Sequence, residues 1–241
     1  MPTRLPSLRH PPISFAHRGA RAHAPENTIE AFQLGLRLGA SGLESDVWLT
    51  ADGEAVLDHD GQVGRRPRRS SIDQVLRADL APHIPTMAEL YAACGTGYEL
   101  SLDLKDAAAL PAVVEAASEA GPEAVSRLWI CHWSLDQLIA WRETWPELHL
   151  VHSTYLGRIE GGPERHAAAL SEAGIEVVNL HHSEWSGGLI ALYHRFERLA
   201  FGWDAQFERI IGELVDSGID GVYSDHVDRM VAEIARFTSA D

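Results

Sequence analysis

The stretch Ser14–Asp60, SFAHRGARAHAPENTIEAFQLGLRLGASGLESDVWLTADGEAVLDHD, decides how the chain is read. Its apolar runs are short, and each carries or ends on charged residues. Ile13-Ser14-Phe15-Ala16 closes on His17-Arg18. Gly42–Leu49 carries Glu44 and Asp46, and Ala55-Val56-Leu57-Asp58 closes on His59-Asp60. Residues two apart in a strand share a face, so Glu44 and Asp46 stand side by side. Two such carboxylates repel unless a cation lies between them. Thr50-Ala51-Asp52-Gly53 signals a tight hairpin turn, which folds residues 54–58 back on the 42–49 strand and returns His59 to the carboxylates. The stretch reads as a metal-assisted acid–base site.

Outward from it, Asn27 or Thr28 caps a helix whose apolar positions are Ile29, Phe32, Leu36 and Leu38, with Gly39 at its end. The opening dozen residues, with four prolines, read as an extended lead-in. Residues 62–85 read as polar and irregular, with one short helix around 72–76. Thr86 with Glu89 forms a capping box for a helix running to Ala93. Apolar runs then recur at Tyr98–Leu104, Leu128–His132, Leu148–Val151, Val177–Leu180, Leu199–Trp203 and Gly221–Tyr223. Helical stretches alternate with them near 110–120, 135–145, 164–173, 187–195 and 207–217, and a last helix covers 227–237. Alternation of this kind implies a parallel sheet with right-handed crossovers. Without residues 54–58 the strand count is eight, the number that closes a TIM (β/α)8 barrel. The expectation is one domain over residues 1–241, with a short insertion at about 61–84 after the second strand. A doubly wound open sheet is the alternative, weakened by the lack of a glycine-rich nucleotide fingerprint after any strand.

The 241 residues suit one such barrel. A formal net charge of −15 argues against a nucleic-acid binder, which needs a basic face. Cys94 and Cys131 sit in apolar runs and read as reduced core thiols. No apolar run approaches the ~18 residues of a transmembrane helix. The first dozen residues lack the apolar core of a signal peptide, so a cytoplasmic protein is expected. The run Arg65-Arg66-Pro67-Arg68-Arg69 reads as a solvated loop, with binding of anionic head groups as its alternative.

Chemistry in such barrels gathers at the C-terminal strand ends. Those positions hold His17-Arg18, Glu44 with Asp46, Asp103 with Lys105, His132, His152, His181-His182, Trp203 and Asp225. Glu44, Asp46 and Asp103 form an all-oxygen set suited to Mg²⁺ or Ca²⁺. A buried ion-pair network around Lys105 and Arg18 is the reading that needs no metal. For His132, His152, His181 and His182 the expected role is structural hydrogen bonding, and His23 and His83 read as loop histidines.

The pattern His17-Arg18-Gly19, Pro25-Glu26-Asn27-Thr28 with Phe32, Gly39-Ala40, Glu44-x-Asp46-Val47, Thr50-x-Asp52-Gly53 and His59-Asp60 closely resembles the glycerophosphodiester phosphodiesterases. Ile84-Pro85-Thr86, Asp103-x-Lys105, Trp203 and Gly218-Ile219-Asp220-Gly221 leading to Ser224-Asp225 continue it in the family's order. The resemblance implies a TIM barrel, His17 and His59 as catalytic acid–base pair, and Glu44, Asp46 and Asp103 as ligands of one divalent cation. It also implies that a glycerol hydroxyl attacks first, giving a cyclic phosphate that water opens. The chain departs from the family in having Asp103 where glutamate is usual and Gln206 where an asparagine is common. A small phosphodiester is the expected substrate, with Arg18 and Lys105 on its phosphate and Trp203 against its glycerol carbons. The alcohol it releases and the oligomeric state stay open. A lysophospholipase D or a phospholipid-cleaving lyase on the same fold, and an inactive barrel that binds phosphorylated ligands, are the competing readings. The arginine-rich insertion offers no apolar rim of the kind a fatty substrate would want.

Overall fold

A computed structural model describes residues 5–65 and 68–238. In chain order the strands are β1 (Ile13–Ala16), β2 (Gly42–Leu49), β3 (Ala55–Leu57), β4 (Gln62–Arg65), β5 (Arg68–Ser71), β6 (Glu99–Leu104), β7 (Leu128–His132), β8 (His149–Ser153), β9 (Val177–His181), β10 (Leu199–Trp203) and β11 (Gly221–Ser224). Eight of them run in parallel in the order β1-β11-β10-β9-β8-β7-β6-β2, and pairing of β1 with β2 closes the barrel. The doubly wound alternative is thereby excluded. β3 lies antiparallel on β2, with Val47 opposite Leu57, as the Asp-Gly turn predicts.

The helices are α1 (Ile29–Arg37), α2 (Met87–Cys94), α3 (Leu110–Ala120), α4 (Pro122–Ser126), α5 (Leu135–Thr144), α6 (Pro163–Glu172), α7 (Gly187–Arg195), α8 (Glu208–Asp216) and α9 (Val227–Thr238). Thr28, rather than Asn27, caps α1 by accepting from the Ala31 N–H. Thr86 and Glu89 exchange both bonds of the capping box at α2. None of the described helices is long and apolar enough to cross a membrane.

Three local features differ from expectation. Residues 62–65 and 68–71 pair as an antiparallel hairpin inside the segment read as irregular. The expected helix at 72–76 is a pair of 3-10 turns at Ile72–Gln74 and Arg77–Asp79. Helix α4 was not anticipated; five residues carry too little periodicity to be seen. Arg66 and Pro67 of the arginine run lie outside the described residues.

Alternation along the strands splits the core into two shells. Ile13, Phe15, Trp129, Cys131, Val151, Val177, Phe201 and Tyr223 fill the barrel interior. Residues between them, such as Leu43, Leu100, Leu102, Ile130 and Leu150, pack outward under the helices. Burying each such side chain contributes about 1.5–3 kcal/mol. Gly42 is what lets the Phe15 ring in, since a Cβ there would lie 2.6 Å from a ring carbon.

The lead-in is bent and tied down rather than extended. Backbone N–H groups of Leu8 and Arg9 donate to one oxygen of the fully buried Asp220, at 2.7 and 2.9 Å. The other oxygen accepts from Ala200 N at 2.8 Å and from His194 Nε2 at 2.7 Å. Arg9 then reaches Glu99, which also accepts from the indole of Trp129. Asp220, Ala200, Glu99 and Trp129 sit at the N-terminal ends of strands, so the lead-in covers the barrel floor and leaves the opposite mouth for chemistry.

Candidate active site

The first turn after β1 sets the site. Arg18 and Gly19 both adopt positive φ, 51° and 78°. A Cβ on Gly19 would lie 2.6 Å from the Ala31 carbonyl carbon, so only glycine lets the chain press against α1 there. The tight turn aims the Arg18 N–H at Glu44, whose Oε2 accepts it at 2.9 Å. On β2 and β6, Asp46 pairs in register with Asp103, and Lys105 Nζ bridges them at 3.0 and 2.5 Å.

His17, Arg18, Glu44, Asp46, His59, Asp103, Lys105 and Trp203 all line one cavity of about 380 Å³ at the C-terminal mouth. Every residue singled out from sequence for the site is therefore brought together. β3 and the bond from Asp58 N to Asp46 O carry His59 back to the carboxylates.

Each histidine has a carboxylate on Nδ1. His17 Nδ1 is 2.6 Å from Asp225 Oδ1, and His59 Nδ1 is 2.9 Å from Asp60 Oδ1. An ionised carboxylate only accepts, so each imidazole carries its proton on Nδ1 and leaves Nε2 for other chemistry. His17 Nε2 lies 3.8 Å from Glu44 Oε2. Burial pulls the His17 pKa down, but Glu44 and then Asp225 outweigh it and the net direction is up. Burial is also the main influence on Glu44, pushing it up to about 7; Asp46 adds to the rise and His17 opposes it.

Asp225 appeared in the sequence as a strand end and as the close of a family motif, without a role; its place on His17 follows from the β1–β11 pairing. Gln206 supports it: Oε1 accepts from Asp225 N at 2.9 Å and from Ser224 Oγ at 3.2 Å. Glu26 was likewise missed as a partner of Arg18, whose Nη1 lies 3.2 Å from it. The cavity rim also holds Trp133, 71% exposed, and Tyr155, 42% exposed, in the loops after β7 and β8. The apolar rim not expected from the insertion comes from these loops instead.

The donor set fits a divalent cation. Glu44, Asp46 and Asp103 offer only oxygen, and buried Asp46 Oδ2 has no hydrogen-bond partner, with Arg18 Nε at 3.3 Å equally unsatisfied. In the arrangement described, Lys105 takes up the charge of Asp46 and Asp103, and the oxygens of the three residues do not all lie within 4.8 Å of one another.

The other strand-end histidines point elsewhere. His132 Nδ1 accepts from Ser134 N at 3.1 Å. His152 Nε2 donates to the Trp133 carbonyl at 3.1 Å, which forces the rest of a buried chain. Its bare Nδ1 accepts from His166 Nε2 at 2.8 Å, and the bare His166 Nδ1 accepts from the Tyr193 hydroxyl at 2.8 Å. Both rings must be neutral for this order. Burial, then the His152 ring, pushes His166 down to about 4.

Residues 17–229 match the Glycerophosphoryl diester phosphodiesterase family. A glycerophosphodiester phosphodiesterase of Bacillus altitudinis is 23% identical over 237 residues, covering 90% of this chain and 96% of that protein. One from Caldanaerobacter subterraneus subsp. tengcongensis is 51% identical over 53 residues, 22% of each chain. Among solved structures, an Oleispira antarctica phosphodiesterase in complex with the product sn-glycerol-3-phosphate superposes with a TM-score of 0.80 at 23% identity, covering 92% of this chain and 96% of that one. Likeness at that identity speaks for the fold, whereas the match over residues 17–229 settles the family: the chain belongs to the glycerophosphoryl diester phosphodiesterases.

Proposed function

We propose that the chain hydrolyses glycerophosphodiesters to glycerol 3-phosphate and an alcohol, with His17 and His59 as the acid–base pair. The observation that carries this reading is the meeting of two carboxylate-backed histidines with Glu44, Asp46 and Asp103 in one cavity. One imidazole takes at Nε2 the proton of the glycerol hydroxyl as its oxygen bonds to phosphorus, while the other, protonated on both nitrogens, gives its Nε2 proton to the leaving alkoxide as that P–O bond breaks. Water then opens the resulting cyclic phosphate to glycerol 3-phosphate, with the two rings exchanging roles. Each transfer is typically worth ~10²–10⁴-fold. Glu44, Asp46 and Asp103 would hold one Mg²⁺ or Ca²⁺, which when bound neutralises charge on a non-bridging phosphate oxygen. Arg18 and Lys105, two of the cations lining the same cavity, meet the phosphodiester anion, and Trp203 gives the glycerol carbons a flat wall. A cytoplasmic setting agrees with two unpaired cysteines, Cys94 and Cys131.

A monoacyl phospholipid is the second reading, favoured by the exposed Trp133 and Tyr155 on the rim. Choline release from glycerophosphocholine and from lysophosphatidylcholine, each with and without chelator, tests both. Chelator-sensitive release from the first substrate supports the main reading. Preference for the second moves the substrate to the lipid class, and no release from either sinks both.

A further inference from the structure

Beside the catalytic cavity, at the ends of β9 and β10, stands a cluster of different chemistry. His181 closes β9, Trp203 closes β10 opposite it in register, and Asp204 follows directly. One ligand atom each from His181, His182 and Asp204 lies within 4.8 Å of the other two. His181 Nε2 faces Asp204 Oδ2 at 3.3 Å, while its Nδ1 is 2.7 Å from Ser183 Oγ. In the ion-free ring Nδ1 accepts from Ser183 N at 3.3 Å, and Nε2 carries the proton that Asp204 accepts. An ion taking Nε2 would move that proton to Nδ1, where Ser183 Oγ can accept it as an outer partner. The side chains of His181 and Asp204 are 25% and 51% exposed, so an ion can reach them from solvent. The overall charge of −15 favours cation capture.

We infer that His181, His182 and Asp204 form a second cation site, for a zinc-class transition metal. Two imidazoles and one carboxylate are a nitrogen-rich set that suits Zn²⁺, Co²⁺ or Ni²⁺ far better than Mg²⁺ or Ca²⁺, which take oxygen. Three protein ligands leave one tetrahedral position for water or an anion. The site is also joined to the catalytic mouth. The Trp203 ring lies edge-on to His181 with centroids 4.6 Å apart. Asp204 Oδ1 accepts from Gln206 Nε2 at 3.0 Å, and the same Gln206 supports Asp225 on His17. An ion held by His181 and Asp204 therefore ties β9 to β10 across Trp203, the wall of the cavity.

Metal-stripped full-length protein in excess Mg²⁺, which supplies the oxygen ligands with their own ion, is titrated with Zn²⁺ by calorimetry. Co²⁺ titration followed by visible absorption repeats the measurement with a metal that reports its ligands. Wild type should take up one equivalent that His181→Ala, His182→Ala and the conservative Asp204→Asn each lose or weaken. Since changes to outer partners alone cost roughly 10–100-fold in affinity, loss of a ligand should cost at least about tenfold. Zinc should also raise the melting temperature of wild type under Mg²⁺ and leave Asp204→Asn unmoved. His226→Ala, in the separate exposed group His23, His226 and Asp228, should keep that equivalent. Absence of zinc uptake by wild type, its persistence in Asp204→Asn and His181→Ala, or its loss in Glu44→Gln instead, would each overturn the assignment. Binding is read without turnover, so these outcomes are independent of the hydrolase reading.

Discussion

Replacing Asp225 by asparagine removes one charge from the group that orients His17, together with a longer ion pair to Arg21 at 3.6 Å. Asp225 Oδ1 accepts from His17 Nδ1 at 2.6 Å, and its backbone N–H stays on Gln206. A hydrogen bond to a charged acceptor is worth about 1.5–3 kcal/mol and a neutral one about 1 kcal/mol, so asparagine forfeits on the order of 1–2 kcal/mol of orientation. Alanine forfeits the whole bond. If the bond aligns Nε2 in the transition state, kcat should fall about 5- to 30-fold in Asp225→Asn and about 10- to 150-fold in Asp225→Ala. A pH shift should accompany it. Burial lowers the His17 pKa and is opposed by Glu44 and Asp225, so without the aspartate that pKa drops. Whichever limb of the pH–rate profile belongs to His17 must then move to lower pH. Steady-state kinetics on glycerophosphocholine between pH 5 and 9 would measure both effects. Unchanged kcat in both variants, or lowered kcat with both limbs in place, would refute the orienting role and leave Asp225 as a structural tie.

The neutral chain through His152, His166 and Tyr193 predicts acid lability. The unfolded His166 titrates near 6.5 and the folded one near 4, so between these values the unfolded chain binds more protons and stability falls as pH falls. About 3 kcal/mol is lost across that window and none below it; His166→Gln should flatten the slope in urea unfolding at pH 7, 6 and 5. An identical slope in that variant would rule the chain out as the cause. Glu44 is held up to about 7 without metal, so Mg²⁺ affinity should drop by up to about tenfold per pH unit below that value. Calorimetry at pH 6 and 8 checks this, and equal affinities would count against Glu44 as a ligand. Asp220→Ala strips a buried acceptor from Leu8, Arg9, Ala200 and His194 and should cost at least about 3 kcal/mol, with kcat per folded molecule unchanged. A loss under 1 kcal/mol on denaturant unfolding, by the same ~1 kcal/mol scale for a single bond, would show that the lead-in is not anchored there.

What could be read before the fold was known were patterns internal to one element. Glu44 with Asp46, and Asp103 with Lys105, lie two apart, and strand geometry alone puts each pair on one face. The turn at Asp52-Gly53 returned His59 for the same local reason. What escaped depended on neighbours far away in sequence. Asp225 reaches His17 only because β11 pairs with β1, and Glu26 and Gln206 act through partners that no spacing rule links to them. The hairpin of β4 and β5 escaped because its arms hold a single apolar residue, Val63, too little to show alternation. Trp133 shows how a rim residue hides: it directly follows the strand-end His132, and only burial tells a packed tryptophan from one that is 71% exposed.

The contact between His17 and Asp225 spans 208 positions of the chain and crosses the seam where the last strand meets the first. Contacts of such separation form late, since the loop they close must be ordered before they return any free energy. A chain emerging from the ribosome therefore presents Glu44, Asp46, Asp103 and Lys105 well before it presents Asp225, the partner of His17. Closure of the barrel at the β1–β11 seam and alignment of that imidazole therefore depend on the same pairing, so loss of the seam is loss of an oriented His17.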